Sequence, residues 1–419
     1  MSETKPSGTS WIDTIPATWN IERMKNQFIY SKGLNITKAD LVDDGVAVIS
    51  YGQIHAKNNT GTTLSPELLR YISPENIAIT DKSLLHKGDI VFADTSEDYD
   101  GLGNAVYMDS DNDTYAGYHT IIARPKNIDY SKYFAYLFKS DAWREQLRVR
   151  ASGIKVFSVT QRMLNDVTLI LPEKNAIRPI ISYLDDRCSK IDAIIAEAKA
   201  SIEEYKELKQ AVIYEAVTKG LDKNANLVNC KVNSLNKMPE TWRIVPVKYL
   251  CSMQAGKNLI SEQIADTGIY PVYGGNGLRG YYESYNTEGH RLLIGRQGAL
   301  CGNIHEVNGK YWCTEHALVT TVKPIVDTHY LYYLFSAMNL NQYASNAAAQ
   351  PGLAASNILN LRTIIPSLDM QKNISRCLDE KVSQLDSLIN EKQALIEDLE
   401  SYKKSLIYEV VTGKRKVVV

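Results

Sequence analysis

The sequence predicts an α+β protein: two α+β domains joined by two long antiparallel coiled-coil helices, arranged as a pseudo-twofold repeat. Three observations predict it. Residues 172–218 recur as residues 366–412 at a constant offset of 194, with 17 of 47 positions identical. Unrelated segments of ordinary composition agree at roughly one position in sixteen, so this density means internal duplication. Both copies are long, nearly free of Gly and Pro, and striped with apolar residues. Each copy also closes a segment that opens with the same Pro-x-Thr-Trp text, Pro16–Trp19 and Pro239–Trp242.

The repeated segments read as helices because nothing interrupts residues 180–219 or 367–412, where loops and strands of that length carry Gly or Pro. Leu184, Ile191, Ala198, Tyr205 and Val212 recur at heptad spacing in the first copy, and Leu378, Leu385, Leu399 and Leu406 in the second. Cys188, Ile195 and Ile202, matched by Val382, Ile389 and Ile396, widen the stripe. A stripe this long is buried most simply against a second one like it, as a coiled coil. Lys392 falls on the seam and predicts a wet turn there. Gly220 and Gly413 stand where a C-terminal stop is expected, and Asp369 where an N-cap is. At 1.5 Å per residue, helices of roughly 45 residues measure about 65 to 70 Å, long enough to act as a ruler. These signals set the boundaries at 1–172 for the first domain, 173–220 for the first helix, 221–237 for a polar Asn-rich connector, 238–366 for the second domain and 367–414 for the second helix.

Between entry and helix the two domains diverge. The first shows strand patterns at 46–51, 89–93 and 117–123, an acidic loop at 94–113 and a helix at 133–146. The second shows strands at 268–273, 291–295 and 317–322 and a helix at 329–339. Faint shared anchors are His119 and His316, which read as strand histidines, and Tyr136-Leu137-Phe138 against Tyr333-Leu334-Phe335.

Composition excludes several classes. Six cysteines show neither Cys-x-x-Cys pairing nor zinc-ligand spacing and read as reduced. No apolar run approaches a membrane span and the N-terminus has no signal-peptide core, which places the chain in the cytoplasm. The net charge is −1, with 18 basic and 21 acidic residues in 1–172 and 9 basic against 8 acidic in 238–366. No segment has the basic excess of a protein that grips DNA chiefly by its phosphates. A DNA reader of this composition needs partners to supply electrostatic grip, and a coiled-coil scaffold without DNA specificity is the competing reading.

Gly275-Asn276-Gly277-Leu278-Arg279-Gly280 matches the dinucleotide-binding pattern letter by letter. The next residues, Tyr281-Tyr282-Glu283-Ser284-Tyr285, do not make the helix that pattern requires. A Gly-rich turn presenting Asn276, Arg279 and Tyr281 is the reading that remains. Its amide, guanidinium and aromatic face suit base edges, phosphates and stacking. Other loops share that character: Tyr51, Gln53, His55 and Lys57; Thr95, Ser96 and Glu97; Lys155; Arg296 and Gln297; and Gln350. These are the candidate DNA-binding residues. No methyltransferase Asn-Pro-Pro-aromatic run, P-loop, Gly-x-Ser-x-Gly elbow or His-Glu-x-x-His site occurs, and Asp94, Glu97, Asp98 and Asp100 read as a solvated loop rather than a metal site. No catalytic centre and no metal site are expected.

With these motifs in place, the chain from Ser10 to Lys416 resembles the specificity subunits of type I restriction-modification systems. The resemblance is carried by the entries 15–19 and 238–242, the loops 48–55, 94–98, 117–120 and 153–158, the runs 273–281, 294–303 and 314–318, and the helix endings 213–218 and 407–412. It implies two target-recognition domains, each reading half of a split double-stranded DNA target. It further implies two methyltransferase (modification) subunits and motor-nuclease (restriction) subunits as partners. Catalysis, and with it S-adenosylmethionine, ATP and Mg2+, would belong to those partners, with no cofactor in this chain.

Overall fold

The protein is described by a computed structural model covering residues 3–75, 79–151, 156–232, 235–298, 301–345 and 352–417. It divides into two compact units, Met1–Glu197 with Leu395–Val419, and Ala198–Ala394. Each unit therefore takes one divergent segment, part of the first long helix and part of the second.

In the first unit seven strands carry the frame: β1 (Phe28–Lys32), β2 (Val46–Ile49), β3 (Arg70–Ile72), β4 (Ile90–Ala93), β5 (Ala105–Tyr107), β6 (Thr114–Ala116) and β7 (Thr120–Pro125). They form an antiparallel sheet in the order β5-β4-β7-β1 and a second sheet in which β2 lies between antiparallel β3 and parallel β6. Helices α1 (Tyr51–Ile54), α2 (Ser131–Phe138) and α3 (Asp141–Arg148) accompany them, and α4 (Lys174–Lys219) is the first long helix. In the second unit, β8 (Cys251–Ala255), β9 (Tyr270–Gly274), β10 (Gly277–Tyr282), β11 (Arg291–Gly295), β12 (Ile304–Val307), β13 (Lys310–Cys313) and β14 (Ala317–Val322) come in the same sequence. Their sheets run β12-β11-β14-β8 and, with β9 between antiparallel β10 and parallel β13, repeat the first unit strand for strand. Helix α5 (Thr328–Ala337) follows, and α6 (Leu368–Val411) is the second long helix. The duplication thus extends through the divergent segments.

Close backbone approach marks the repeat inside both sheets. A Cβ at Gly33, just past β1, would stand 1.9 Å from the Gly117 carbonyl oxygen; one at Gly256, just past β8, would stand 2.3 Å from that of Cys313. Only glycine fits at either place.

The long helices form for the reasons their stripes suggest. Leu184, Ile191, Ala198, Cys188, Ile195 and Ile202 are buried along α4, and Leu378, Leu385, Ile396 and Leu406 along α6. Lys392 is half-buried. Gly220 and Gly413 take φ +80° and +72° just past the helix ends, the left-handed stop that satisfies final carbonyls. Within each unit the two helical segments run antiparallel. In the first, Lys403 Nζ meets Asp192 at 2.6 Å, while Arg415, later in the chain, bonds the side chain of Tyr183, earlier in it. In the second, Lys209 Nζ meets Asp386 at 2.7 Å and Val217 shares a core with Ile374 and Leu378.

Each unit also clamps its domain to a helix. Tyr136 donates to Asp185 Oδ1 at 2.6 Å and Lys132 pairs with the same oxygen at 3.1 Å. Tyr333 donates to Asp379 Oδ1 at 2.8 Å and His329 Nε2 meets it at 2.5 Å.

Several expectations need correction. The helix expected over 133–146 is two helices, broken at Ser140, whose extended backbone starts α3 and lets Trp143 turn in against Phe138 at 4.2 Å. The polar connector holds a β-hairpin, Leu227–Val232 with Leu235–Pro239, and the acidic loop contains Thr95–Ser96 and β5. Ser367, not Asp369, caps α6: its Oγ accepts from the Met370 N–H at 3.4 Å, leaving Asp369 in the first turn where a carboxylate suits the helix dipole. His119 is a turn residue at φ +55°, before β7 rather than in it.

Candidate nucleic-acid interface

In the first unit the candidate residues gather around the ends of β2, β4 and β7. The chain leaving β2 turns at once into α1, because Gln53 Oε1 accepts the Ser50 N–H at 3.1 Å and closes the first turn. His55, at the end of that turn, binds two other segments. Its Nε2 donates to the Thr95 carbonyl at 2.8 Å and its Nδ1 accepts from Asn104 Nδ2 at 3.0 Å, a network that assigns the neutral ring with the proton on Nε2. Tyr51 lies edge-on to Tyr118 and His119, with centroids 5.5 and 5.4 Å away. The result is an open depression of about 490 Å3 whose lining includes Tyr51, His55, Glu97, Asp98, Asp100 and Asn104. Lys57 and Glu97 are exposed beside it.

Some candidates serve the frame. Ser96 is buried, and its Oγ donates to the Asp98 carbonyl at 2.7 Å, so it shapes the turn rather than presenting itself. Gln53 Oε1 is spent on capping, and both ring nitrogens of His55 on stapling. Thr95 Oγ1 donates to Asp94 Oδ1 at 2.6 Å, and the short strand Phe157–Ser158 pairs with Thr95–Ser96 and fixes the loop. Lys155 lies outside the described residues.

In the second unit the Gly-rich motif is the turn of the β9–β10 hairpin, with Gly275 and Asn276 between the strands. That is why no nucleotide-binding helix comes after it. Asn276 is exposed at the tip, where its Oδ1 accepts from Asn303 Nδ2 at 3.4 Å. Arg279 stands at a bulge in β10, where the register with β9 shifts between Leu278 and Gly280, and Tyr281 pairs with Pro271 beyond it; Arg279 Nη2 reaches Ser261 Oγ at 3.4 Å. Past β11, Gln297 Oε1 accepts from His316 Nδ1 at 2.8 Å, and Arg296 is half-buried beside it. Gln350 lies outside the described residues.

Reading by residue type missed three participants. His305, on β12, packs its ring against Gly277 and so supports the hairpin; its buried Nε2 has no partner among the described residues, and burial pushes the imidazole below its usual value, keeping it neutral. Asn303 steadies Asn276. Asp94 accepts from His119 Nδ1 at 3.1 Å, and in the second unit Gln297 accepts from His316 Nδ1 at 2.8 Å. The shared His anchors were the signal for this last pair, but only the strand register shows what they hold.

No group of His, Cys, Asp and Glu able to hold a metal occurs among the described residues, and none of their helices is long and apolar enough to cross a membrane.

Comparison with known proteins agrees with this architecture. The family model for the type I restriction modification DNA specificity domain matches residues 239–398. The type I restriction enzyme EcoprrI specificity subunit of Escherichia coli is 43% identical over 135 residues, 31% of this chain and a third (33%) of that protein's length. The MjaVIII specificity subunit of Methanocaldococcus jannaschii is 22% identical over 67% of this chain and 70% of its own. Among solved structures, a chain from work on complex assembly and conformational transition of the type I R-M system aligns with TM-score 0.70 at 15% identity, over 96% of this chain and 99% of that one. The HsdS subunit of Thermoanaerobacter tengcongensis aligns with TM-score 0.50 at 14% identity, over 96% and 98%. At such identities these two speak for the fold, and the matched sequences speak for descent. Residues 239–398 thus match the type I restriction modification DNA specificity domain, and the chain is similar in sequence and fold to specificity subunits of type I restriction-modification systems.

Proposed function

We propose that this chain reads a bipartite, asymmetric double-stranded DNA target, one half-site per unit, and directs methyltransferase and restriction subunits to it in the cytoplasm. The observation that carries this reading is one frame used twice with different side chains at its exposed ends. The seven frame strands take the same order in the two units, yet the tip after β2 is a helical turn carrying Tyr51 with His55 at its end, while the tip after β9 is a two-residue turn bearing Asn276. A constant frame keeps the reading edge in register, and altered side chains alter what is read. Helices of 46 and 44 residues support a fixed number of unread base pairs between the half-sites.

The net charge of −1 argues that the isolated chain holds DNA weakly, since non-specific affinity comes from neutralised phosphates. The partners would supply that grip, along with S-adenosylmethionine, ATP and Mg2+.

The test is to co-express the full chain with its methyltransferase subunit and map adenine methylation across the host genome, omitting each component in turn. A two-part motif that appears only when both are present is the expected result. Methylation without sequence preference would favour the scaffold reading, and modification by this chain alone would make it an enzyme.

A further inference from the structure

Strand register identifies positions in the two units that sequence alignment does not. Ala93 pairs with Thr120 across β4 and β7, and Gly295 pairs with Ala317 across β11 and β14. One residue on, the Asp94 N–H donates to the His119 carbonyl at 3.0 Å and the Arg296 N–H donates to the His316 carbonyl at 3.0 Å. Asp94 and Arg296 therefore occupy the same place in the frame, each at the mouth of its sheet and each beside a histidine. Their charges are opposite.

Both side chains are held at the base and incompletely paired at the head. Asp94 Oδ1 takes the Thr95 hydroxyl at 2.6 Å and His119 Nδ1 at 3.1 Å, while Oδ2 has no hydrogen-bond partner among the described residues and the side chain is 35% exposed. The Arg296 carbonyl accepts from the Leu353 N–H at 2.8 Å, fixing the backbone on its far side. Among the described residues its guanidinium makes no ion pair and its buried Nε has no hydrogen-bond partner. A buried donor left unpaired is costly unless something else satisfies the group.

We propose that Asp94 and Arg296 are equivalent specificity-determining residues, Asp94 selecting a base that offers an exocyclic amino group and Arg296 selecting guanine. This rests on the DNA-reading function proposed above. In the major groove, cytosine and adenine present an amino donor that a carboxylate accepts, whereas guanine presents the N7 and O6 acceptors that a guanidinium fork matches. The opposite pairings set like partial charges against each other, so one position with reversed charge both selects and rejects. The two half-sites accordingly differ in the base read from this place.

The experiment is methylome mapping with the full chain and its methyltransferase subunit, using wild type, Asp94→Asn, Asp94→Glu, Arg296→Gln and Arg296→Lys. Asp94→Asn should relax one base position of one half-site, and Arg296→Gln should lower methylation of guanine-containing sites about tenfold or more at one position of the other half-site. Asp94→Glu and Arg296→Lys keep the charge and should keep the preferred base. Methylation that falls evenly with unchanged base preference would assign these residues to phosphate contact or to packing and overturn the proposal. So would an unchanged motif, or both residues altering the same half-site. If wild type yields no two-part motif, the underlying DNA-reading function fails and this inference fails with it.

Discussion

The two units solve one mechanical problem with different chemistry. Each ties its domain to a long helix through an aspartate that the repeat preserves, Asp185 in the first and Asp379 in the second, and through a tyrosine hydroxyl from the facing helix. The cation differs. Lys132 completes the first clamp at 3.1 Å. His329 completes the second, and it also meets Glu306 at 2.5 Å, which in turn holds His290 at 2.6 Å. The bond to Glu306, reinforced by Asp379, raises His329 to about 9. The frame thus tolerates exchange of the cation provided the aspartate keeps its partners, and the exchange makes one unit sensitive to pH while the other clamp contains no histidine.

The largest effect is expected along the shared stripe. Leu184 and Leu378 are equivalent and both fully buried, so Leu184→Ala and Leu378→Ala should each cost about 2–5 kcal/mol. Chemical denaturation of the full chain measures this, and a cost confined to one of them would show that the repeated stripes carry unequal load.

Next comes His329. A histidine raised on folding contributes stability fully below its unfolded value near 6.5, and the contribution is lost as pH climbs toward about 9. Hydrogen exchange measured between pH 6 and 9.5, corrected for intrinsic exchange, should show the second unit loosening relative to the first, where Lys139, held down to about 8 by burial, acts in the opposite sense. His329→Lys should flatten that response. A decline of equal size in both units would place the sensitivity elsewhere.

The smallest effect belongs to the symmetric ion pairs. Lys403 with Asp192 and Lys209 with Asp386 leave their aspartates 46% exposed, so removing either lysine should cost only roughly 0.2–1 kcal/mol. A loss several times larger, in thermal melts at low and high salt, would mean that these pairs register the helices rather than decorate them.

The helices and their stops were legible because a helix writes its burial into the chain at short, regular intervals, and a constant offset of 194 survives when nothing is inserted. Equivalence inside the domains was not legible, because loops of unequal length break the offset. It is 223 between Gly33 and Gly256 but 197 between Lys132 and His329. Nor did residue type show which polar atoms the fold itself uses: Ser96 Oγ, Gln53 Oε1 and the His55 ring are all bonded to other parts of the chain.

The duplication, the two long helices and the glycines that end them could be read from the chain alone, since these rest on local periodicity and on text short enough to recur intact. Only the tertiary structure decided which side chains stand at equivalent places. Strand pairing joins residues such as Asp94 and His119 across 25 positions of chain, and a hydrogen bond made at that distance leaves no periodic trace in the sequence.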